Sequence, residues 1–515
     1  MPNSFAYFAL FSWPLVVAVF FRFMPRSYAI ASSIIGGYLL LPDRTGFDLP
    51  ALPSLDKTLL PSLAAGLLCI FWRDDKTRRR GPPEPVSANA GKAEMSGRGP
   101  DAPPMNGLQV SHGSSRANVF VLRLLVIVLI GSPFFTAIVN SEPIWMGPRY
   151  LPAIRIYDAF SMILTAFVSI LPFLLGWRYL GRQEDHQALL FVLATTGVAY
   201  TFPALFEIRI SPQLNAWIYG FFPHSFIQHI RAGGFRPLVF LPHGLWLGIY
   251  LAMAIVACAA LYRLKRRASQ PATRWLLLGA WVFGALVLAK SLGALIIAGL
   301  LVVVTLFLGR RLAMLIALVV ALTVLTYPML RGAGWVPVQT ALDISASIDE
   351  ERAASLNYRF ENEDVLLQRA NEKPFFGWGG WGRNEYHDPI TGRIESVTDG
   401  VWIIFIGVFG WVGYIARLGL LTFPILVLAR SRYRQHLGVA TVGLSLVLAA
   451  NLIDLIPNAT LTPVTWLVGG ALAGYISNGF RSRAAAASDP ENDGDHHAAA
   501  AAPPQTPRHV RQPRS

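Results

Sequence analysis

Two arginines, Arg231 and Arg236, flank the pair Gly233–Gly234 in the segment FFPHSFIQHIRAGGFRPLVFLPHGLWLG, residues 221–248. Paired glycines let a backbone bend sharply, and two guanidinium groups held together can clamp a diphosphate through bidentate hydrogen bonds. Anchoring at lipid headgroups is the plainer role for either arginine. His224, His229 and His243 lie in or beside the same segment, and a lone histidine is more often structural than a ligand. A second set follows in SIDEERAASLNYRFENEDVLLQRANEKPFFGWGGWGRNEYHDPITGRIESVTDG, residues 347–400. The absence of Gly and Pro predicts a helix over 349–372, stopped by Pro374. Arg352 and Arg359, seven apart, then project from nearly one face, with Glu363 and Leu366 continuing the stripe. Next come four glycines and two tryptophans within residues 377–382. Trp378 and Trp381 suit a membrane interface and have faces able to stack on sugar rings. Asp399 stands at the lip of the apolar run that follows, where an aspartate is a favoured helix N-cap.

The elements that must position these residues are membrane helices. Of 515 residues, 53% are hydrophobic and 14% charged, against about a quarter charged in soluble domains. Apolar runs of bilayer-spanning type predict helices near 5–22, 27–42, 57–72, 118–139, 157–178, 187–205, 239–262, 275–290, 293–308, 312–329, 400–428, 436–456 and 460–478. The first is read as a retained helix, because no small-residue cleavage site follows it. Basic residues cluster in RDDKTRRR, in RLKRRASQPATR, in GRR at 309–311 and in RSRYR at 430–434, which marks one side as cytoplasmic. Residues 206–238 and 330–399 then lie outside. The second of these loops carries seven Lys/Arg against twelve Asp/Glu. The net charge of +14 is a topology signal, and no aromatic-interleaved basic face points to nucleic acid.

The linker 73–117 and the tail 481–515 are rich in Ala, Pro, Gly and Ser and are expected to be disordered. DGDHH at 493–497 has metal-ligand residue types in a setting unsuited to holding a metal. Cys69 and Cys258 fall inside apolar runs and read as packing residues. No phosphate loop, H-E-x-x-H, C-x-x-C or G-x-S-x-G is present. GlyxxxGly at 470–474 permits close helix packing.

An arginine-bearing helix, then P-F-F-G-x-G, then a span carrying G-x-x-G resembles the bacterial O-antigen ligase and O-antigen polymerase superfamily over roughly residues 190–430. Pro374, Phe376, Gly377 and Gly379 match the turn, and Gly410 with Gly413 match the later pair. Arg231 or Arg236 matches an arginine before an earlier span, and Ser291 with Gly293 matches an S-R-G helix start. Two positions depart from the pattern. The family's His is Asp399, and the Arg of S-R-G is Leu292, with Lys290 nearby. The departures favour a divergent, polymerase-type member.

The apolar runs and charge distribution predict an all-α polytopic membrane protein with about 12–14 transmembrane helices and one large periplasmic loop containing a helix, and the resemblance implies the same all-helical membrane fold. Its parts would be N-terminal helices 1–72, the cytoplasmic linker, a core 118–329, the loop 330–399, C-terminal helices 400–480 and a cytoplasmic tail. The implied activity is transfer of an undecaprenyl-diphosphate-linked glycan to an acceptor glycan or lipid in the bacterial inner membrane, among membrane lipids, without cofactor or metal. Arg231, Arg236, Arg352 and Arg359 would hold the diphosphate, and Trp378 and Trp381 the glycan. Asp399 would be the base, with His387 and Glu385 in reserve. A chain-length regulator would be an expected neighbour. A transporter or flippase, suggested by Lys290 and Asp454 within or near spans, and a non-catalytic scaffold are the competing classes.

Overall fold

The structure is a computed structural model that describes residues 1–48, 53–71, 112–231, 233–348, 350–430 and 437–487. Most of the linker and tail, with DGDHH, lies outside the described residues, as does the side chain of Arg352.

Each apolar stretch marked in the sequence is helical. Among the described residues, seven helices are long and apolar enough to cross a membrane: Ser4–Phe23, Arg116–Ile138, Ile156–Tyr179, Gln183–Arg209, Gly244–Arg267, Arg310–Gly332 and Val401–Leu428. Four further apolar helices, Leu59–Phe71, Thr273–Leu288, Leu292–Phe307 and Val439–Asp454, are shorter. Of the 12–14 spans expected, seven helices reach spanning length among the described residues. Among the described residues, strands are confined to three two-stranded hairpins, Gly46–Phe47 with Leu55–Asp56, Ile144–Met146 with Arg149–Leu151, and Ile230–Arg231 with Gly234–Phe235.

Gly244–Arg267 is the central post, buried along nearly its whole length. Small residues let its neighbours close on it. A Cβ on Gly197 would collide with Ala254, and one on Gly443 with Ala260, the close backbone approach favoured between helices in lipid. Gly470 and Gly474 do the same at the C-terminal end. They lie against Phe173 O and Trp177 O of Leu171–Tyr179, so this GlyxxxGly packs within the chain. The outer helices turn large apolar side chains outward, among them Phe8, Leu15, Ile127 and Leu300, an apolar belt that suits lipid and would be a liability in water.

The large loop holds two helices where one was expected. Glu350–Asn371 matches the expectation, and Val338–Ile348 precedes it. Its glycine–aromatic turn is built into the last long span. Val401–Leu428 is broken at Gly410, with φ 66° and ψ −173°, a conformation open to glycine. The break frees two carbonyls and two amides, and the turn takes all four. Trp378 N and Gly379 N donate to Gly407 O and Val408 O at 2.8 and 2.9 Å, while Trp411 N and Val412 N donate to Pro374 O and Phe375 O at 2.7 and 3.2 Å. Fit is tight on both sides. A Cβ on Gly377, itself at φ 70°, would stand 2.5 Å from Val408 C, and one on Gly410 would overlap Phe375.

Candidate functional site

The helix ends and loops enclose a cavity of about 950 Å³. Arg231 and Arg236 enter it from the 206–238 segment, Lys290 from the turn between two helices, and Arg359 and Asp399 from the large loop. Residues more than a hundred positions apart thus share one chamber.

Each cation is placed by local structure. Arg231 sits on a hairpin strand paired with Gly234. Lys290 adopts φ 56° and donates from Nζ to Arg231 O at 2.7 Å. A Cβ on Gly234 would lie 2.6 Å from that Nζ, so glycine is what lets the lysine approach. Arg236 is 3% exposed. Its Nη2 donates to Ser291 Oγ at 2.9 Å, while its Nε is buried without a partner. Burial, with Arg231 nearby, pulls the Arg236 guanidinium down to about 10, and it remains charged at neutral pH. Two helix starts add their positive ends. Leu245 and Trp246 belong to Gly244–Arg267, Leu292 and Gly293 to Leu292–Phe307, and all four line the chamber. Four cations and two helix N-termini make a strong anion site.

Acids meet these cations at one edge. Arg359 Nε and Asp399 Oδ2 are 3.2 Å apart, with both side chains about one-third exposed or more. This pair forms the wall shared with a second cavity of about 220 Å³, lined also by Glu363, Tyr327 and Ile403. Glu363 is held by Arg331 Nε at 3.4 Å and Tyr327 Oη at 3.5 Å. Burial pushes its carboxyl up to about 7, against the pull of Arg331, and leaves it poised to exchange a proton near neutral pH. Asp454 accepts from Asn458 Nδ2 at 2.9 Å and Thr460 Oγ1 at 2.6 Å, and Asn458 lines the main cavity.

The three histidines converge as well. Ring centroids of His229 and His224 lie 4.8 and 4.9 Å from that of His243, and 6.2 Å from each other. His224 and His243 line the chamber.

Other expected residues lie elsewhere. His387 is buried, bonds the Glu385 carbonyl through Nδ1 at 3.1 Å, and does not line the chamber. Trp378 is buried and does not line the chamber. Its indole donates to Arg369 O at 2.7 Å, and its ring is covered by Arg369 at 3.4 Å and Lys373 at 4.5 Å. Trp381 is 61% exposed but borders a separate cavity with Leu151, Pro152 and Arg383. Arg383, missed in the sequence, is fully buried and ties the loop to Pro152 O at 2.8 Å and Glu142 O at 3.1 Å. Neither Glu363 nor the histidine cluster was singled out as a site. Position 363, one turn beyond Arg359, was the available signal for the glutamate.

Comparison with protein-family models, curated proteins and solved structures found no match in any of the three.

Proposed function

We propose that the chain is a membrane glycan transferase that takes a saccharide from a polyprenyl diphosphate and passes it to an acceptor hydroxyl, as the polymerase-type resemblance suggests. The observation that carries the reading is the chamber where Arg231, Arg236 and Arg359, from two distant loops, meet Asp399. Arg231, Arg236 and Lys290 hold the diphosphate. Arg359 joins them by exchanging its partner from Asp399 to phosphate, which frees the carboxylate. Asp399 then takes the proton of the acceptor hydroxyl. The acceptor oxygen bonds to the anomeric carbon as the bond to the diphosphate oxygen breaks. The electron pair leaves on the diphosphate, whose charge the guanidinium groups stabilise in place. Glu363, across the shared wall, receives the proton onward.

The distribution of basic residues supports placing the chamber on the outer face of a bacterial inner membrane and the C-terminus in the cytoplasm. Undecaprenyl-diphosphate-linked units of a surface polysaccharide are the substrate class, and a growing glycan or a lipid is the acceptor.

The test is the envelope polysaccharide profile on a gel. A deletion strain would carry the wild-type gene, Asp399→Ala or Arg359→Ala, with membrane levels of the proteins matched. Collapse of the ladder to single repeat units in both variants is expected for a polymerase. Full-length chains retained on the carrier would indicate a ligase. An unchanged profile in both variants, where deletion alters it, would remove these residues from the chemistry.

A further inference from the structure

The histidine cluster beside the arginines is not used by the chemistry above, and two of its ring nitrogens have no partner. His229 Nδ1 faces the Arg236 carbonyl at 3.2 Å and so carries that ring's proton as a donor. His229 Nε2 is left as a bare lone pair, buried and unpartnered, and His224 Nδ1 is also buried and unpartnered. His243 is the N-cap of Gly244–Arg267 and accepts the Leu245 amide through Nδ1 at 3.1 Å. Its own proton therefore sits on Nε2. Buried ring nitrogens without partners are uncommon and costly, and His229 Nε2 is an acceptor open to one added proton.

A transition metal is the other species three imidazoles suggest, since one ligand atom from each lies within 4.8 Å of the others. Two features oppose it. The His243 lone pair is already committed to the helix amide, and a dication would feel the field of the neighbouring arginines with twice the charge of a proton. The cluster fits a proton better than a metal.

Resting on the transferase reading, we propose that His224, His229 and His243 form a proton-accepting wall of the chamber, which gains a proton when a diphosphate occupies it. Charged groups around the cluster are Arg231 and Arg236 from its own segment, and Lys290, Arg359 and Asp399 across the same chamber. Asp454 lies within the field of Arg236 and Arg359. Burial and then Arg236 hold His243 down to about 3, and burial holds His229 down to about 4, with Arg236 adding to it. Both are neutral at pH 7. An anion that pairs with the arginines cancels their repulsion and adds attraction of its own, so protonation moves toward neutral pH. The gained proton would lie where negative charge accumulates on the departing diphosphate.

The experiment is calorimetric titration of the purified full-length chain with farnesyl diphosphate near pH 6.5, in two buffers of different ionisation enthalpy. Protonation of the ligand itself is common to all proteins and cancels in the difference. The wild type is expected to take up more protons than His229→Gln or His243→Asn, by a margin of up to about one. His243→Asn keeps a good helix cap, so folding is preserved. Wild-type affinity should gain up to about tenfold per pH unit on acidification relative to His243→Asn. Binding with identical proton counts in all three proteins would overturn the proton site alone. No binding by the wild type would overturn the anion chamber with it. Binding that requires added Zn²⁺ and is lost in EDTA would reassign the cluster to a metal.

Discussion

Replacing Asp399 with asparagine separates chemistry from folding, and the structure says why. Two unit charges at the 3.2 Å of the Arg359–Asp399 contact attract by about 1.3 kcal/mol in water and about 5 kcal/mol at an effective dielectric constant near 20. The side chains are 33% and 40% exposed, which places the pair near the aqueous limit. Ordering two flexible side chains offsets most of that, and the net contribution falls under about 1 kcal/mol. Asp399→Asn should therefore melt within about 2 °C of the parent in detergent. Removing a general base costs about 10²–10⁴ in rate. The assay is transfer from a radiolabelled polyprenyl-diphosphate saccharide by purified protein, with melting measured on the same sample. Turnover within about fivefold of wild type would refute the assignment of Asp399 as base, because so small a loss is below what a base contributes. A fall in both turnover and melting temperature would refute the claim that the ion pair is structurally minor.

Three other substitutions follow from the geometry. Gly410→Ala places a Cβ into the Phe375 backbone at positive φ and should cost more than about 2 kcal/mol, read as loss of monodisperse protein on size exclusion. A normal elution profile and melting curve would contradict the interlock. Trp378→Ala should destabilise by about 3–5 kcal/mol, whereas Trp381→Ala, at an exposed ring, should leave melting unchanged. Equal effects would show that the two rings are wrongly distinguished. Glu363→Gln tests the buried carboxyl through pH. Its folded value, about 7, lies above its ordinary 4.5, so the stability tied to its protonated form is complete below 4.5 and lost as pH rises through 7. The variant should match wild type at pH 4.5 and exceed it at pH 8 by up to about 3 kcal/mol, measured as the melting difference at the two pH values. A pH-independent difference would rule this out.

Much of the helical frame was legible, because lipid forces every span to satisfy its own backbone and so writes long apolar runs into the sequence. The convergence of Arg231, Arg236, Arg359 and Asp399 was legible only as a guess about shared side, since charge distribution gives sidedness and not distance. Val338–Ile348 was missed because a short amphipathic helix in an acidic loop carries no span signal. The Ile144–Leu151 hairpin was missed too, although Gly147 packs against Pro389 O of the large loop at a virtual Cβ distance of 2.7 Å and joins that outer layer. Trp378 looked like a ligand platform because composition shows an aromatic among glycines. It does not show that Arg369 already lies on the ring. The P-F-F-G-W-G and G-x-x-G signatures read in the sequence as the motifs of the resemblance, and the structure uses them as backbone joinery between loop and span.

That joinery has a consequence for how the chain is made. In a hydrocarbon environment the Gly407 and Val408 carbonyls need donors, and their donors reside in residues 374–379, which are synthesised earlier. The span 401–428 can settle at its final depth only after the preceding loop has folded back onto it. Chains truncated at residue 430, with residues 374–379 intact or replaced by a Ser-rich linker, would test this by their resistance to alkaline extraction. Equal resistance would sink the idea. Biogenesis of the last third of the molecule is, on this reasoning, an ordered event in which a soluble-side segment licenses the integration of a membrane helix.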